Sequence, residues 1–380
     1  MKYLAVALFA FFSLSVSGQE CDCEATFDWV KKTFEENDAG FQYIVDKKGI
    51  QTYALHNQIH EEKTKKTDDP VACETIVRNW LSFFRKAHVE FHYKEKAQSK
   101  ANNQNEVEQN PEAEKIKNDP KYRLHNQFLN SEVPFVEQLN EKTIYLRIPA
   151  FSGQQKPLID SIVLAHRSKI LSTENLIIDI RNGEGGNDDS YEKLMPLIYT
   201  NPIRLPTVEL LSTPLNNQRM YEMATNTGMA LQFGVNPSEA EKKQFMAYYD
   251  TLSNHIGEFV NLKAADVTIT KFDTIHPFPQ NVAIMINHNN VSTDEQFLLE
   301  AKQSKKVKLF GTTTKGAIDV SNLYITHSPC DNYVLVYALS RSLRIPDMVV
   351  DDIGIMPDYY IDKGIPEQEW INYVSGILKE

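Results

Sequence analysis

A chain of 380 residues is long enough for one large or two moderate domains with a real core. With 42% apolar and 24% charged residues, its composition is that of an ordinary globular protein. The net charge of −11 disfavours nucleic acid or an anionic membrane as its natural partner, because both select a basic footprint.

The chain opens MKYLAVALFAFFSLSVSGQE. Lys2 gives a positive start, and Leu4 to Val16 is an almost unbroken apolar run, too short to span a bilayer comfortably. Val16-Ser17-Gly18 offers small residues to a signal peptidase, so residues 1–18 read as a cleaved secretory signal. Glu20 precedes Cys21 where a lipoprotein needs a small residue, which argues against lipidation. No later segment reads as a membrane span. The mature protein is therefore expected to be soluble and exported, periplasmic or secreted, with no membrane partner after signal cleavage. Export permits disulfides among Cys21, Cys23, Cys73 and Cys330. Cys21 and Cys23 are too close for an easy mutual bridge. Either can pair with Cys73, which leaves Cys330 a weak case for a partner. None of the spacings reads as a zinc site.

Residues 19–93 read as a small helical domain. ATFDWVKKTFEEN places Phe27, Val30 and Phe34 at helical spacing, and a second helix carries Val71, Ile76, Trp80, Leu81 and Phe84 after an Asp69-Pro70 start. A short extended piece, HVEFHY, follows. Residues 94–139 form a polar connection, rich in Asn, Gln, Glu and Lys up to residue 120.

From residue 140 to 380 strands and helices alternate. KTIYLRIPAF is a strand and QKPLIDSIVLAHRSKIL a helix. NLIIDIR, NVAIMIN and KVKLFGT are continuously apolar, as strands buried on both faces are. EQFLLEAKQS is a helix between the last two, and NDDSYEKLMPLIYT also reads as helical. This βαβ order predicts an α/β core with a mainly parallel sheet. Residues 220–262 interrupt it as a helical insertion, either a lid or an extra packed pair. Strands near NYVLVYALS and DYYID and a final helix EQEWINYVSGIL complete the chain.

Four segments carry candidate chemistry. Ser292 in NHNNVSTDEQF begins Ser292-Thr293-Asp294-Glu295, a capping box by spacing. The same serine stands between a buried strand and a helix, where α/β enzymes place reactive groups and a helix N-terminus supplies N–H donors. In DIRNGEGGNDD, Gly183, Gly185 and Gly186 follow a buried strand, and serve either as a βα turn or as oxyanion donors. A phosphate loop is disfavoured by the acidic surroundings and the missing lysine. His88, Glu90 and His92 would share one strand face, as exposed alternation, a metal site or a lone base. Asp351 and Asp352 stand before Gly354 and Pro357, as a turn or as an acid that orients an imidazole.

Taken in order, these segments resemble the S41 family of serine peptidases, the tail-specific or tricorn-core-like proteases. DIRNGEGGNDDSY resembles the family's D-x-R-x-N-x-G-G segment. VSTDEQF followed by KVKLFGTTTKGA resembles its serine-turn-helix-strand module. DDIGIMPDYYI resembles its E-x-x-G-[IV]-x-P-D ending, and FRKAHVEF the segment that carries the base in the tricorn-like branch. The resemblance implies a mixed, mainly parallel sheet core of the ClpP/crotonase-like type. It implies Ser292 as nucleophile, His88 as general base, and Asp351 as supporting acid where the family usually has Glu. The amides of Gly185 or Gly186 and of Thr293 would form the oxyanion hole. One branch of the family uses a lysine at the position of Ala317; Lys315 comes two residues early, which favours a Ser-His-acid arrangement. Asp352 is an alternative acid, and Ala87 stands where the family often has a polar side chain. Fewer than fifty residues separate Tyr93 from Lys142, too few for a PDZ domain. The implied activity is hydrolysis of peptide or unfolded-protein substrates without metal or organic cofactor. The alternative is a catalytically impaired peptide-binding protein on the same fold.

Overall fold

The computed structural model describes residues 22–94, 123–232 and 235–379. The expected signal segment, residues 1–18, lies outside the described residues. Among them no helix is long and apolar enough to cross a membrane.

Among the described residues thirteen strands run in chain order: β1 Glu90–Tyr93, β2 Phe135–Asn140, β3 Thr143–Arg147, β4 Asn175–Asp179, β5 Ile203–Pro206, β6 Val208–Leu211, β7 Phe259–Val260, β8 Val267–Thr270, β9 Asn281–Ile286, β10 Val307–Gly311, β11 Val320–His327, β12 Tyr333–Ser342 and β13 Tyr359–Tyr360. Six of them build the central sheet in the order β13-β10-β9-β4-β3-β2. All its pairings are parallel except β2 with β3. This is the mixed, mainly parallel α/β core that the apolar runs predict. β3 and β4 are buried along their whole length, and β9 at all but its first residue. One face of the sheet packs Ile144, Leu146, Leu176, Ile178, Ile284 and Leu309 under the flanking helices. The other face packs Tyr145, Ile177, Ala283 and Met285 under the C-terminal helix Trp370–Ile377.

A second sheet is organised around β12. β11 lies along one edge, and β1 and β6 follow one another along the other. The gap between β1 and β6 is closed by the end of helix Cys23–Asn37: Ala39 N–H donates to Ala338 O at 2.9 Å, and Ala338 N–H donates to Asp38 Oδ2 at 3.1 Å. The N-terminal helices lie over this sheet. Phe27, Phe34, Trp80 and Phe84 share a cluster with Tyr324, Tyr333, Leu335 and Tyr337. Removing a fully buried aromatic such as Trp80 from it costs about 3–5 kcal/mol. The N-terminal segment therefore has no separate core; it finishes the one that β11 and β12 begin.

Three expectations are corrected. The connection expected over residues 94–139, polar and in part helical, lies outside the described residues at 95–122, and beyond them it holds the helix Arg123–Leu129 and most of β2. The helical insertion, expected over residues 220–262, begins earlier, with helix Pro214–Thr225 capped by the Thr213 side chain, and ends in β7. Its helix Glu239–Ser253 has a complete capping box from Ser238 and Glu241. Cys23 is bridged to Cys73, with Cα atoms 5.5 Å apart, and none of the described cysteines is free, Cys330 included.

Candidate active site

Three parallel strands end side by side, and each releases a loop at its carboxyl end. β4 leads into Ile180–Asn187, β9 into Asn287–Ser292, and β10 into Thr312–Asp319. Such an edge is where α/β sheets place ligands.

The loop after β9 is tied down by amides. Asn290 Nδ2 donates to Ile180 O at 2.6 Å and to Asp294 Oδ2 at 2.8 Å. Asn287 Nδ2 donates to Asn182 Oδ1 at 2.7 Å, and Asn182 N–H returns a bond to Asn287 Oδ1 at 3.1 Å. Ser292 stands at the tip with φ 58° and ψ −117°, a conformation that residues other than glycine rarely adopt. Holding it costs about 1–3 kcal/mol, which the surrounding bonds must offset. Ser292 and Glu295 occupy capping-box positions, but the serine hydroxyl forms no cap hydrogen bond. Glu295 instead fastens the turn to the loop after β10. It accepts from Thr314 Oγ1 at 2.6 Å, from the amides of Gly316 and Ala317 at 2.8 Å, and from the Ser292 amide at 3.2 Å. Burial raises its pKa, and these donors oppose the shift. The Ser292 amide also donates to Ala317 O at 3.2 Å.

The glycine loop backs directly onto this turn. A methyl group added at Gly185, whose φ is +81°, would come 2.8 Å from Ser292 Cβ and 3.3 Å from Thr293 N. One added at Gly186 would meet Phe151 O at 2.3 Å. Phe151 and Gly186 form a parallel bridge, in which Phe151 N–H donates to Gly185 O and Asn187 N–H to Phe151 O. The Gly186 amide consequently points away from Phe151. The Gly185 amide is close enough to Asp294 to stabilise its carboxylate. Among the described residues, neither the Gly186 nor the Thr293 amide has an acceptor. Thr293 is pinned through its hydroxyl, which donates to Asp188 Oδ1 at 2.9 Å.

His88 is not on a strand face: it sits in the bend before β1, at φ 58°. Its Nδ1 lies 2.8 Å from Val320 O. A carbonyl only accepts, so Nδ1 carries the proton and Nε2 keeps its lone pair. Burial lowers the pKa; the Val320 carbonyl opposes this, and the cations Arg85 and Lys315 add to it. The bend is held by Arg85, which donates to His88 O at 3.0 Å and pairs through both terminal nitrogens with buried Asp38. Ser292 and His88 are thus fastened to one short segment, at Ala317 and Val320. Three residues of extended chain span no more than about 10 Å.

Asp351 does not touch His88. Its Oδ1 accepts the amides of Ile318 at 2.6 Å and Asp319 at 2.7 Å, and its Oδ2 that of Val320 at 3.3 Å. Asp319 reciprocates by accepting the amides of Val350 and Asp351 at 2.6 and 2.8 Å, and it is paired with Arg344. Asp351 is pushed up to about 6, first by burial and then by Asp319. The acid expected on the imidazole instead fixes the strand whose carbonyl holds the imidazole. Asp352 does not replace it: the hydrogen bond of His88 Nδ1 is to Val320 O, and Asp352 is not among the charges felt at the ring. Glu90 and His92 pair with each other at 2.8 Å on the surface of β1, and no cluster able to hold a metal occurs among the described residues. Lys315 is exposed and close enough to His88 for its charge to be felt there.

Sequence reasoning did not find Val320, Asp38, Arg85, Asn290 or the Asp319–Asp351 exchange. Val320 acts through its own carbonyl, and the others bond main-chain groups or each other far away in sequence, which leaves no local pattern. Arg85, three residues before a candidate histidine and directly after the apolar pair Phe83-Phe84, was the one visible clue.

The architecture is that of known proteases. Mature CPAF complexed with lactacystin superposes with a TM-score of 0.58 over 94% of this chain and 97% of that one, at 12% identity. A putative peptidase from Parabacteroides merdae ATCC 43184 gives a TM-score of 0.55 over 95% and 98%, also at 12% identity. At that identity the likeness is one of fold. Residues 142–361, more than half of the chain, match peptidase family S41, and the chain belongs to that family. No curated protein matches it.

Proposed function

We propose that this chain is an exported serine-type peptidase. The observation that carries the reading is Ser292 held at φ 58° and ψ −117° between a buried strand and a helix, beside two amides without acceptors. Strain of this kind is retained where it positions a reactive group. Ser292 Oγ attacks the carbonyl carbon of a peptide bond while its proton passes to His88 Nε2. The amides of Gly186 and Thr293 receive the developing oxyanion. The tetrahedral adduct collapses, the C–N bond breaks, and His88 returns the proton to the leaving amine. Water then enters by the same route and loses a proton to His88 as it attacks the serine ester; the ester C–O bond breaks, His88 returns that proton to Ser292 Oγ, and the acid product leaves.

Export rests on the N-terminal segment, and the Cys23–Cys73 bridge fits an oxidising compartment. The substrate is a peptide or an unfolded protein chain. Labelling of the mature protein with a fluorophosphonate tests the reading. Wild type should label, and Ser292→Ala and His88→Ala should not. A folded wild type that stays unlabelled would refute it. A second reading, a peptide-binding protein with impaired catalysis, is favoured by one observation: no carboxylate meets His88 Nδ1. It expects peptide-dependent stabilisation without labelling.

A further inference from the structure

The helix Thr293–Ala301, which starts beside Ser292, carries Thr293, Phe297 and Glu300 on one face, spaced four and three residues apart. All three meet the single helical turn Asp188–Tyr191, which continues the glycine loop. At the near end Thr293 Oγ1 donates to Asp188 Oδ1 at 2.9 Å. In the middle the Phe297 and Tyr191 rings lie 5.4 Å apart, and both pack on Phe151. At the far end Tyr191 Oη donates to Glu300 Oε1 at 2.6 Å. The turn is thus fastened to the helix at both ends, with ring packing between.

The near-end bond stands beside the two amides assigned to the oxyanion. Gly186 comes two residues before Asp188, and Thr293 supplies both its amide and the hydroxyl that makes the bond. Each side is stiff. Gly186 is bridged to Phe151, and Asn187 N–H donates to Phe151 O at 2.8 Å. Thr293 is buried at the first position of its helix. The bond serves no capping need, because a cap bonds the amides of its own helix, whereas this hydroxyl reaches a different segment. Two donors stabilise one oxyanion only if both stand about 2.7–3.1 Å from the same oxygen. Here they come from separate loops, and the Asp188–Thr293 bond joins those loops.

We propose that Asp188 is a positioning residue for the oxyanion hole, holding the Thr293 amide in register with that of Gly186 through the Thr293 hydroxyl. The inference deepens the peptidase reading and rests on it. The role requires an oxygen acceptor at residue 188 and not its charge.

The test is the rate at which the mature protein is labelled by a fluorophosphonate, whose phosphoryl oxygen gains charge in the oxyanion hole as the serine adds. The maximal labelling rate and the half-saturating probe concentration are read separately. Asp188→Ala and Thr293→Val should each lower the maximal rate about 10- to 100-fold, the scale of a displacement of about 1 Å, and leave the half-saturating concentration unchanged. The double variant should be no slower than the slower single one, because both cut the same bond. Asp188→Asn keeps an acceptor and should recover most of the rate. Tyr191→Phe, which opens the far end, should lower the unfolding midpoint and leave the labelling rate unchanged. Asp188→Ala labelling as fast as wild type overturns the proposal. So does a loss that Asp188→Asn shares in full, or single losses that multiply in the double variant. A rate that falls alike in Asp188→Ala and Tyr191→Phe, in step with the unfolding midpoint, would assign Asp188 a structural role and also overturn it. Thr293→Val, which keeps the volume of the side chain, and Asp188→Asn decide by the same criteria if Asp188→Ala fails to fold. A folded wild type that does not label refutes the peptidase reading and this inference with it, a result distinct from a labelled wild type with indifferent variants.

Discussion

The imidazole of His88 donates to the carbonyl of Val320, at 2.8 Å, and to no acid. The bond selects the tautomer a general base needs, with Nε2 unprotonated, but provides no full negative charge to stabilise an imidazolium. The burial that surrounds it lowers the histidine's pKa below the ordinary value of 6.5.

The pH profile of hydrolysis follows from this. A general base at His88, as proposed, acts only when deprotonated, so a lowered pKa extends activity to lower pH. The acid limb of kcat/KM should have its midpoint below pH 6.5. A midpoint above that value would mean that an anion meets the imidazole in solution.

Asp351 distinguishes a bracing role from a direct one. As a brace it needs only oxygen acceptors, and Asp351→Asn retains one. That variant should keep kcat within about tenfold of wild type, whereas loss of an acid bonded directly to the base costs about 10⁴-fold. Asp351→Ala strands the amides of residues 318–320 and should cost about 2–4 kcal/mol of stability as well as rate. Denaturant unfolding and steady-state kinetics on the two variants decide between the roles.

Gly185→Ala places a methyl group 2.8 Å from Ser292 Cβ, at a φ of +81°. It should lower kcat by about 10²- to 10³-fold, the scale of a lost oxyanion donor, by displacing the serine from the Gly186 and Thr293 amides. Gly153→Ala, whose methyl group would meet nothing within 4 Å, is the control and should leave kcat unchanged.

Asp294 makes stability depend on pH. It is pushed up to about 7, first by burial, and its Oδ1 has no partner. Its folded pKa lies above the unfolded value of 3.8, so folding takes up a proton between the two. The resulting stabilisation is complete below pH 3.8 and lost as pH rises through about 7. Asp294→Asn abolishes this dependence. Relative to wild type it should gain about 3 kcal/mol between pH 5 and pH 8. Urea unfolding at the two pH values checks this; a constant difference would contradict it.

Much of this arrangement can be read in the sequence. Apolar runs mark β4, β9 and β10 because a strand covered on both faces has no polar alternation. Glycines at 185 and 186 mark a backbone approach that no side chain permits, and Ser292 stands between strand and helix. Less legible was anything that depends on which strand lies beside which. Asp351 belongs in the right motif but faces three amides, since the reach of a carboxylate is set by the turn at residues 350–354. Asp38 reads as an ordinary residue after a helix; only the pairing of β1 and β6 along β12 makes it the plug between them. Glu295 reads as a cap because its spacing is that of a cap, while the acceptors it supplies serve a loop some twenty residues away.

His88 and Val320 are separated by 232 positions, and β1 rests on β12. Contacts of such sequence separation form late, after the intervening chain is available. A polypeptide that emerges N-terminus first therefore carries its histidine long before it owns the strand that orients it. Until Val320 is in place, the tautomer is not enforced. On the proposed mechanism, a product truncated before that strand should therefore be inert.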